Sequence, residues 1–322
     1  MTVLVTGATG FLGGAVACRL HDLGQPVLAT GRNMDALAGL QSMGLETMAA
    51  DLAHSLDPNP NIEAIVHSAA LSSPWGHPRA FESANVTVTA NLIDFARRSG
   101  VGRFVHISSA SVYFRFQDQD QLPETTVLPP PVNLYAKTKA QSEQLVLAAP
   151  DIGPIILRPR GIYGVGDTAL LPRLSQVAKK SRLPRFPGGM GATDITHVDD
   201  VVAATLAALD APGSTHGEIF NISGGQCIGM DQIICAIARH HNIPVRWRTV
   251  PFGLALSAVR MIETAASVLP GRPEPPVTAY SLALMRYRQT MDITKAKTHL
   301  NWQPQVSFPE GFRRTFGADL PQ

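Results

Sequence analysis

With 322 residues, the chain is long enough for one large or two moderate domains around a real core. Its 27 basic and 25 acidic side chains leave a net charge of +2, which argues against a nucleic-acid or polyanionic partner, and 45% hydrophobic with 16% charged residues fits a soluble globular chain. Cys18, Cys227 and Cys235 show neither metal nor redox spacing, so no metal site is expected and a reducing, cytoplasmic compartment is the natural setting.

The apolar run Val3–Val5 predicts a strand at the very start, leaving no room for a leader peptide. A helix over Gly14–Leu23 should end at Gly24, followed by a strand at Val27–Thr30 and a weakly helical stretch over Met34–Leu40. Further strands are predicted at Glu46–Ala49, Ala64–Ser68, Phe104–Ser108 and Ile155–Leu157, with helices over Ala80–Ser99 and Tyr135–Ala149. This alternation predicts an α/β fold with a doubly wound, mostly parallel sheet and right-handed crossovers.

Beyond Arg158 proline and glycine become dense. A helix over Asp199–Leu209 with an aspartate cap and a strand at Glu218–Ile222 read as returns to the sheet. The first domain therefore spans 1–165 with returns at about 194–225. Residues 166–193 and 226–322 form a smaller lobe over the carboxyl ends of the strands, where open α/β sheets bind ligands. The basic cluster Lys179-Lys180-Ser181-Arg182 reads as a solvated helix end. Residues 251–269 are apolar but carry Arg260 and Glu263, which suits an amphipathic helix over a substrate pocket and not a membrane span.

Two segments carry chemistry. In Thr6-Gly7-Ala8-Thr9-Gly10-Phe11-Leu12-Gly13, Gly7 permits a tight turn, Gly10 lets backbone approach a pyrophosphate, and Gly13 allows close helix–strand packing. The helix that follows offers amide donors and its positive dipole end, so the first domain reads as dinucleotide-binding. An acid at the end of the second strand would hold a ribose 2′-hydroxyl. The chain reads Ala29-Thr30-Gly31-Arg32-Asn33 there, and the planar fork of Arg32 suits a phosphate, so NADP(H) is favoured over NAD(H).

The second segment is Tyr135-Ala136-Lys137-Thr138-Lys139, which sets a phenol and an ammonium on one helix face. A nearby ammonium stabilises a phenolate and turns tyrosine into a proton carrier for a carbonyl or alcohol. A serine hydroxyl beside the carbonyl oxygen completes such a site, and Ser109 is the best placed, with Ser108 and Ser111 as rivals. His67 and His106 sit on predicted buried strands and read as supporting residues.

Those segments, taken with Asp51-Leu52, His67-Ser-Ala-Ala70, Leu157-Arg-Pro-Arg-Gly-Ile-Tyr-Gly164 and the tail motif Met291-Asp-Ile-Thr-Lys-Ala-Lys297, resemble an extended short-chain dehydrogenase/reductase of the epimerase/dehydratase superfamily. The Trp75-Gly76 loop, Arg158-Pro-Arg160 and the 251–269 helix are similar to its 3β-hydroxysteroid dehydrogenase-like branch, which includes bacterial 2-alkyl-3-oxoalkanoate reductases. The resemblance implies a Rossmann domain and a catalytic triad of Ser109, Tyr135 and Lys139. It implies that Gly7, Gly10, Phe11, Leu12 and Gly13 lie along the pyrophosphate and that Asp51 and Leu52 flank the adenine. Ala69, Ala70 and Leu71 would line the cofactor, Asn85 would start the long helix near the nicotinamide, and Pro159 would touch its amide. A homodimer through the helices near Asn85 and Tyr135 is implied as well.

The chain also departs from that pattern. Sugar-nucleotide epimerases usually have Asn where Gly161 stands and an acid where Gly31 stands, and Phe114 replaces the glycine expected after Val112-Tyr113. The residues expected around the substrate are Trp75, Ser111, Phe114, Arg160 and Phe186, with Gln117–Leu134 as a lid. That set fits a small hydrophobic ketone or secondary alcohol better than a nucleotide sugar. Arg115, Arg160 or Arg185 would meet a carboxylate or a thioester phosphate. The expected activity is an NADPH-dependent ketoreductase or hydroxysteroid-dehydrogenase-like oxidoreductase. An NDP-sugar epimerase or dehydratase, and a non-catalytic NAD(P)-binding scaffold or sensor, are the other two readings.

Overall fold

Six runs of the first half, joined by one from the second, form a seven-stranded parallel sheet in a computed structural model that describes residues 1–179 and 182–317. Residues 180 and 181 of the basic cluster, and the last five of the predicted lobe, lie outside the described residues. In chain order the first half runs β1 (Thr2–Thr6), α1 (Phe11–Asp22), β2 (Val27–Gly31), α2 (Met34–Ser42), β3 (Glu46–Ala49), β4 (Ile62–His67), α3 (Pro78–Phe81), α4 (Val88–Ser99), β5 (Arg103–Ile107), β6 (Gln119–Leu122), α5 (Leu134–Leu147) and β7 (Pro154–Pro159). Then follow β8 (Ile162–Tyr163), α6 (Leu170–Ala178), β9 (Leu183–Arg185), β10 (Ala192–Thr193), β11 (Thr196–His197), α7 (Val198–Asp210) and β12 (Glu218–Ile222). The chain continues through β13 (Ile228–Gly229), α8 (Met230–His240), β14 (Trp247–Thr249), α9 (Phe252–Val268), α10 (Ala279–Arg286), β15 (Gln289–Met291), α11 (Thr294–His299) and α12 (Phe308–Phe316).

The main sheet has the order β12-β7-β5-β4-β1-β2-β3, the doubly wound arrangement the alternation predicts. Its centre is apolar on both faces, which is why β1 reads as a continuous run and not an alternating one. Val3 and Val5 point into one core with Val16, Val105 and Val201, while Leu4 points into the other with Ile65, Leu92 and Phe104. Helices α1 and α7 cover the first face; α4 and the end of α5 cover the second. A third core joins α6, α8, α10 and α12 around Leu174, Ile234, Leu282 and Phe312. The segment 289–302, grouped by sequence with the smaller lobe, sends Met291, Leu300 and Trp302 into the first core.

Three expectations are corrected here. The helix predicted over Ala80–Ser99 contains a π-helical stretch at Glu82–Thr87, and Asn85 lies within it instead of starting a helix. Helix α7 is capped by His197, whose Nδ1 accepts from the Asp199 amide at 3.3 Å, and not by an aspartate. The supposed lid 117–134 contains β6, which pairs with β15 in a four-stranded sheet and is fixed further where the Asn221 side chain donates to Leu122 O at 2.9 Å. Among the described residues no helix is long and apolar enough to cross a membrane, although α9 leaves Leu254, Met261 and Val268 exposed.

Candidate active site

The turn after β1 has no room for side chains. Gly7 takes φ +68°, and a Cβ there would sit 2.8 Å from the Ala69 backbone; one on Gly13 would sit 2.3 Å from the Gly7 carbonyl. Gly10 caps α1 with no side-chain bond, so the first-turn amides of Phe11, Leu12 and Gly13 face outward. They open onto a cavity of about 900 Å³ that runs from this turn to α10. A cradle that a Cβ would fill, facing amides at a helix start, fits the pyrophosphate of a dinucleotide. Arg32, Asp51 and Leu52 line the same cavity, as do Ala69, Ala70 and Pro159 further along. Arg32 is exposed and belongs to none of the ion pairs among the described residues. Beside it, the Thr9 side chain takes the space where a Cβ on Gly31 would start, 2.5 Å away.

Helix α5 supplies the polar side chains. Asn133 caps it, its Oδ1 accepting from the Ala136 amide at 2.8 Å, and Tyr135 and Lys139 follow one turn apart. The Tyr135 hydroxyl stands beside the side chains of Ser72 and Ser109 on the cavity wall, and both favour its ionised form. Ser109 Oγ also accepts from the Ser111 amide at 3.2 Å. Of the three candidate serines, Ser109 therefore meets Tyr135. Ser108 donates instead to Glu143, and the Ser111 hydroxyl, on the cavity wall, is buried with no partner among the described residues.

Lys139 is 2% exposed, and its Nζ donates to the Ile107 carbonyl at 2.6 Å. Burial pulls its ammonium down to about 8, with Glu143 opposing. Burial pushes the Tyr135 phenol up, the Ser72 and Ser109 side chains hold it back, and Tyr280 adds to the rise. The sequence reading expects Lys139 to draw that phenol down. Here the ammonium is engaged by a backbone carbonyl and burial wins, so the phenol keeps its proton and stands as a donor.

Behind this wall lies a closed polar network. Arg158 on β7 grips Glu143 through Nε at 2.8 Å and a second nitrogen at 2.6 Å, with both side chains buried. Its guanidinium lies 4.6 Å from the centre of the Tyr113 ring and also donates to the Tyr113 hydroxyl, which in turn donates to Asn221 Oδ1 at 3.0 Å. The network joins α5, β7 and β12, fixing the helix that carries Tyr135 against the sheet edge.

The two strand histidines support the cavity floor and do not reach into it. His67 bridges the Thr6 and Thr89 hydroxyls, each at 2.9 Å, and His106 Nε2 meets Ser142 Oγ at 3.1 Å. Burial, with the charge of Lys139 adding, pulls His67 down to about 3 and His106 well below the usual imidazole range. The unfolded chain binds protons on these rings below its ordinary value near 6.5, while the folded chain stays neutral. Their contribution is thus intact above that pH and is lost as the pH falls toward 3. The unfolding midpoint is expected to drop with acid below about pH 6.5. His106→Asn should make that drop shallower in thermal denaturation, and an unchanged slope would remove this account.

Several predicted residues lie elsewhere. Asn85 is buried off the cavity, where Oδ1 accepts from the Leu71 amide at 2.7 Å and Nδ2 donates to Thr138 Oγ1 at 2.9 Å, so it positions the wall segment. The aromatic residues expected around the substrate are corrected as well. Phe114 is buried edge-on against Tyr280, Phe186 packs into the third core against Phe252, and Trp75 donates from Nε1 to the Arg272 carbonyl at 3.0 Å. Phe114 and Phe186 are buried, Trp75 is half-buried, and none of the three lines the cavity. Helix α9 packs outside α10, and it is α10 that supplies Tyr280, Ser281 and Leu284 to the wall. Arg160 and Ser111 do line it. Sequence reasoning missed Ser72, Asn133 and Tyr280. Asn133 carries a legible cap signal ahead of Leu-Tyr; Tyr280 carries none.

The NAD dependent epimerase/dehydratase family model matches residues 3–223. The chain is 33% identical to a 2-alkyl-3-oxoalkanoate reductase of Stenotrophomonas maltophilia, covering 98% of each chain. It is 29% identical to the 4-hydroxy-2-methyl-3-oxo-4-farnesyl-3,4-dihydroquinoline-1-oxide ketoreductase of Stigmatella aurantiaca, covering 97% of this chain and 94% of that one. Among solved structures, UDP-glucuronic acid 4-epimerase from Bacillus cereus in complex with NAD superposes with a TM-score of 0.75 over 98% of this chain and 96% of that one. At 22% identity that likeness shows the fold alone. The matched model spans well over half of the residues and the bacterial reductase runs the full length, so this chain belongs to the NAD dependent epimerase/dehydratase family and is an oxidoreductase of its extended short-chain dehydrogenase/reductase type.

Proposed function

We propose that the protein is an NADPH-dependent ketoreductase acting on a hydrophobic ketone or the corresponding secondary alcohol. The observation that carries this reading is that Tyr135, Ser109 and Lys139 share the wall of the cavity that begins at the glycine turn. The nicotinamide, when bound, supplies or accepts the hydride. Tyr135 gives its proton to the carbonyl oxygen in reduction and takes it back in oxidation. Ser109 hydrogen-bonds that oxygen as charge develops, and Lys139 steadies the phenolate left on Tyr135. Residues 1–165, with returns at about 194–225, form the dinucleotide side in this reading, and the remainder supplies the substrate wall through Tyr280 and Leu284.

Both named relatives act, by their names, on ketones bearing alkyl or farnesyl groups, which favours an apolar substrate here. Gly161, where sugar-nucleotide epimerases carry Asn, counts against a nucleotide sugar. The absence of an acid at Gly31, with an unpaired Arg32 beside it, favours the 2′-phosphate of NADPH. NADPH is expected to exceed NADH by at least about tenfold in kcat/KM, and Arg32→Ala to remove most of that margin. Initial rates with both cofactors on long-chain ketones decide it. A tenfold preference for NADH removes the Arg32 argument, and tightly retained NAD with turnover of nucleotide sugars overturns the reading.

A further inference from the structure

The net charge of +2 hides a division. Residues 168–193 and 232–262 hold nine Lys and Arg and no Asp or Glu, while the rest of the chain holds the other 18 of the 27 basic and all 25 acidic side chains. The two stretches meet in the smaller lobe. Helix α6 packs on α8, and β9 pairs with β14, Leu183 beside Trp247 and Pro184 beside Arg248. Leu183 and Trp247 turn into the third core, so the alternate positions Arg246 and Arg248 face away from it. Lys179, Arg182, Arg185, Arg246 and Arg248 are all exposed, and none belongs to an ion pair among the described residues.

Strand β14 runs into α9 with two residues between them. Phe252, Ala255, Leu256 and Val259 lay the inner side of that helix on the same third core. Its outer side therefore faces the same way as the arginines. That side carries Leu254, Ala258, Met261, Ala265 and Val268, spaced by four and three along one helix face. Leu254, Met261 and Val268 are 71%, 68% and 80% exposed, and no charge falls in the stripe. Glu263, the one acid of α9, turns inward, its Oε1 accepting from the Ala279 amide at 2.8 Å. Thr264 and Ser267 donate their hydroxyl protons to carbonyls of their own helix, Arg260 O at 2.8 Å and Thr264 O at 2.7 Å. Arg260 is exposed beside the stripe, its guanidinium 5.3 Å from the centre of the Phe116 ring.

An uncharged helix face rimmed by unpaired arginines has the chemistry of a membrane interface, where the face enters the acyl boundary and the guanidinium groups meet lipid phosphates. The stripe also lacks the aromatic anchor that concentrates affinity at a protein interface. We propose that α9, with the arginines along β9 and β14, seats the protein on an anionic lipid surface, the helix lying in the headgroup plane without crossing it. The acidic remainder of the chain is repelled by the same lipid, which sets the side that faces it. Helix α10, which lines the cavity with Tyr280 and Leu284, packs against α9, so the cavity wall stands one helix away from the lipid.

Cosedimentation of the full chain with vesicles tests the seat. In about 0.1 M salt the protein should pellet with phosphatidylcholine vesicles carrying a quarter phosphatidylglycerol. Binding should fall at least about tenfold on pure phosphatidylcholine, or in about 0.5 M salt. Met261→Glu/Val268→Glu should lose binding to both kinds of vesicle. Arg246→Gln/Arg248→Gln should weaken binding to the anionic vesicles roughly 10- to 30-fold. Met34→Glu, at an exposed apolar side chain on α2, should change nothing. Every substituted side chain is exposed, so all three variants should keep the wild-type Tm. No pelleting with anionic vesicles overturns the proposal and leaves the stripe to a protein. Equal binding to charged and neutral vesicles overturns it too, as does binding unmoved by Met261→Glu/Val268→Glu or an equal loss in Met34→Glu. A lipid-free dimer in sedimentation velocity that Met261→Glu dissolves would mean that a second copy covers the stripe, and overturns it as well.

Discussion

Tyr135→Phe is expected to slow ketone reduction about a thousandfold while NADPH binds as it does to the wild type, since a positioned proton donor contributes roughly 10²- to 10⁴-fold. Phenylalanine keeps the ring, and with it the packing at the start of α5. What disappears is the hydroxyl that stands beside Ser72 and Ser109 inside the cavity. Those two serines turn to water or to each other, so the Tm should shift by only a few degrees. Single-turnover rates would show the loss in the chemical step, and fluorescence titration of NADPH would show binding retained. Turnover within tenfold of the wild type removes Tyr135 from proton transfer and leaves the glycine turn as a seat without established chemistry.

The largest stability effect is expected behind the cavity, at Arg158→Met. Glu143 and Arg158 are both buried, and their bond is bidentate. Removing the guanidinium leaves Glu143 with the Ser108 hydrogen bond and the more distant attraction of Lys139, a change that costs about 3–5 kcal/mol in comparable buried pairs. Tyr113 loses the cation on its ring face at the same time. The double variant Glu143→Met/Arg158→Met should recover much of the loss, because the partner charge goes too. Urea unfolding of the two single variants and the double variant measures this. A loss below about 1 kcal/mol for Arg158→Met would mean that water reaches Glu143 and that the pair does not anchor α5.

Local signals made half of the site legible. The glycine turn and the Tyr135–Lys139 spacing are short-range patterns, and a strand before or a helix around them is enough to read them. The choice among three adjacent serines is different in kind. Ser108 is removed from contention by Glu143, 35 residues away, and no pattern near Ser108 announces that bond. Tyr280 reaches the cavity from α10 because the third core sets that helix against the sheet domain, which depends on tertiary packing alone. The aromatic residues misled for a related reason. Phe114 and Phe186 are large and apolar, and packing buries them as filler, where size decides and chemistry does not, while Trp75 is tied by its indole nitrogen to the Arg272 carbonyl. The loop 117–134 read as a lid because its prolines are visible in the sequence and the distant strand that pairs with it is not.

Among the described residues strand β6 is joined in its sheet to β15 alone, across 170 residues of chain, as the bond from Gln289 to Gln119 shows. A ribosome adding 5–20 residues per second needs roughly 10 to 30 s to deliver that partner. During this interval the glycine turn and the Tyr135 helix can already be in place, while β6 offers a bare edge and the far wall does not yet exist. Nascent protein is therefore most exposed to misassembly at this seam, and pairings of such long contact order are slow to close even once both strands are made.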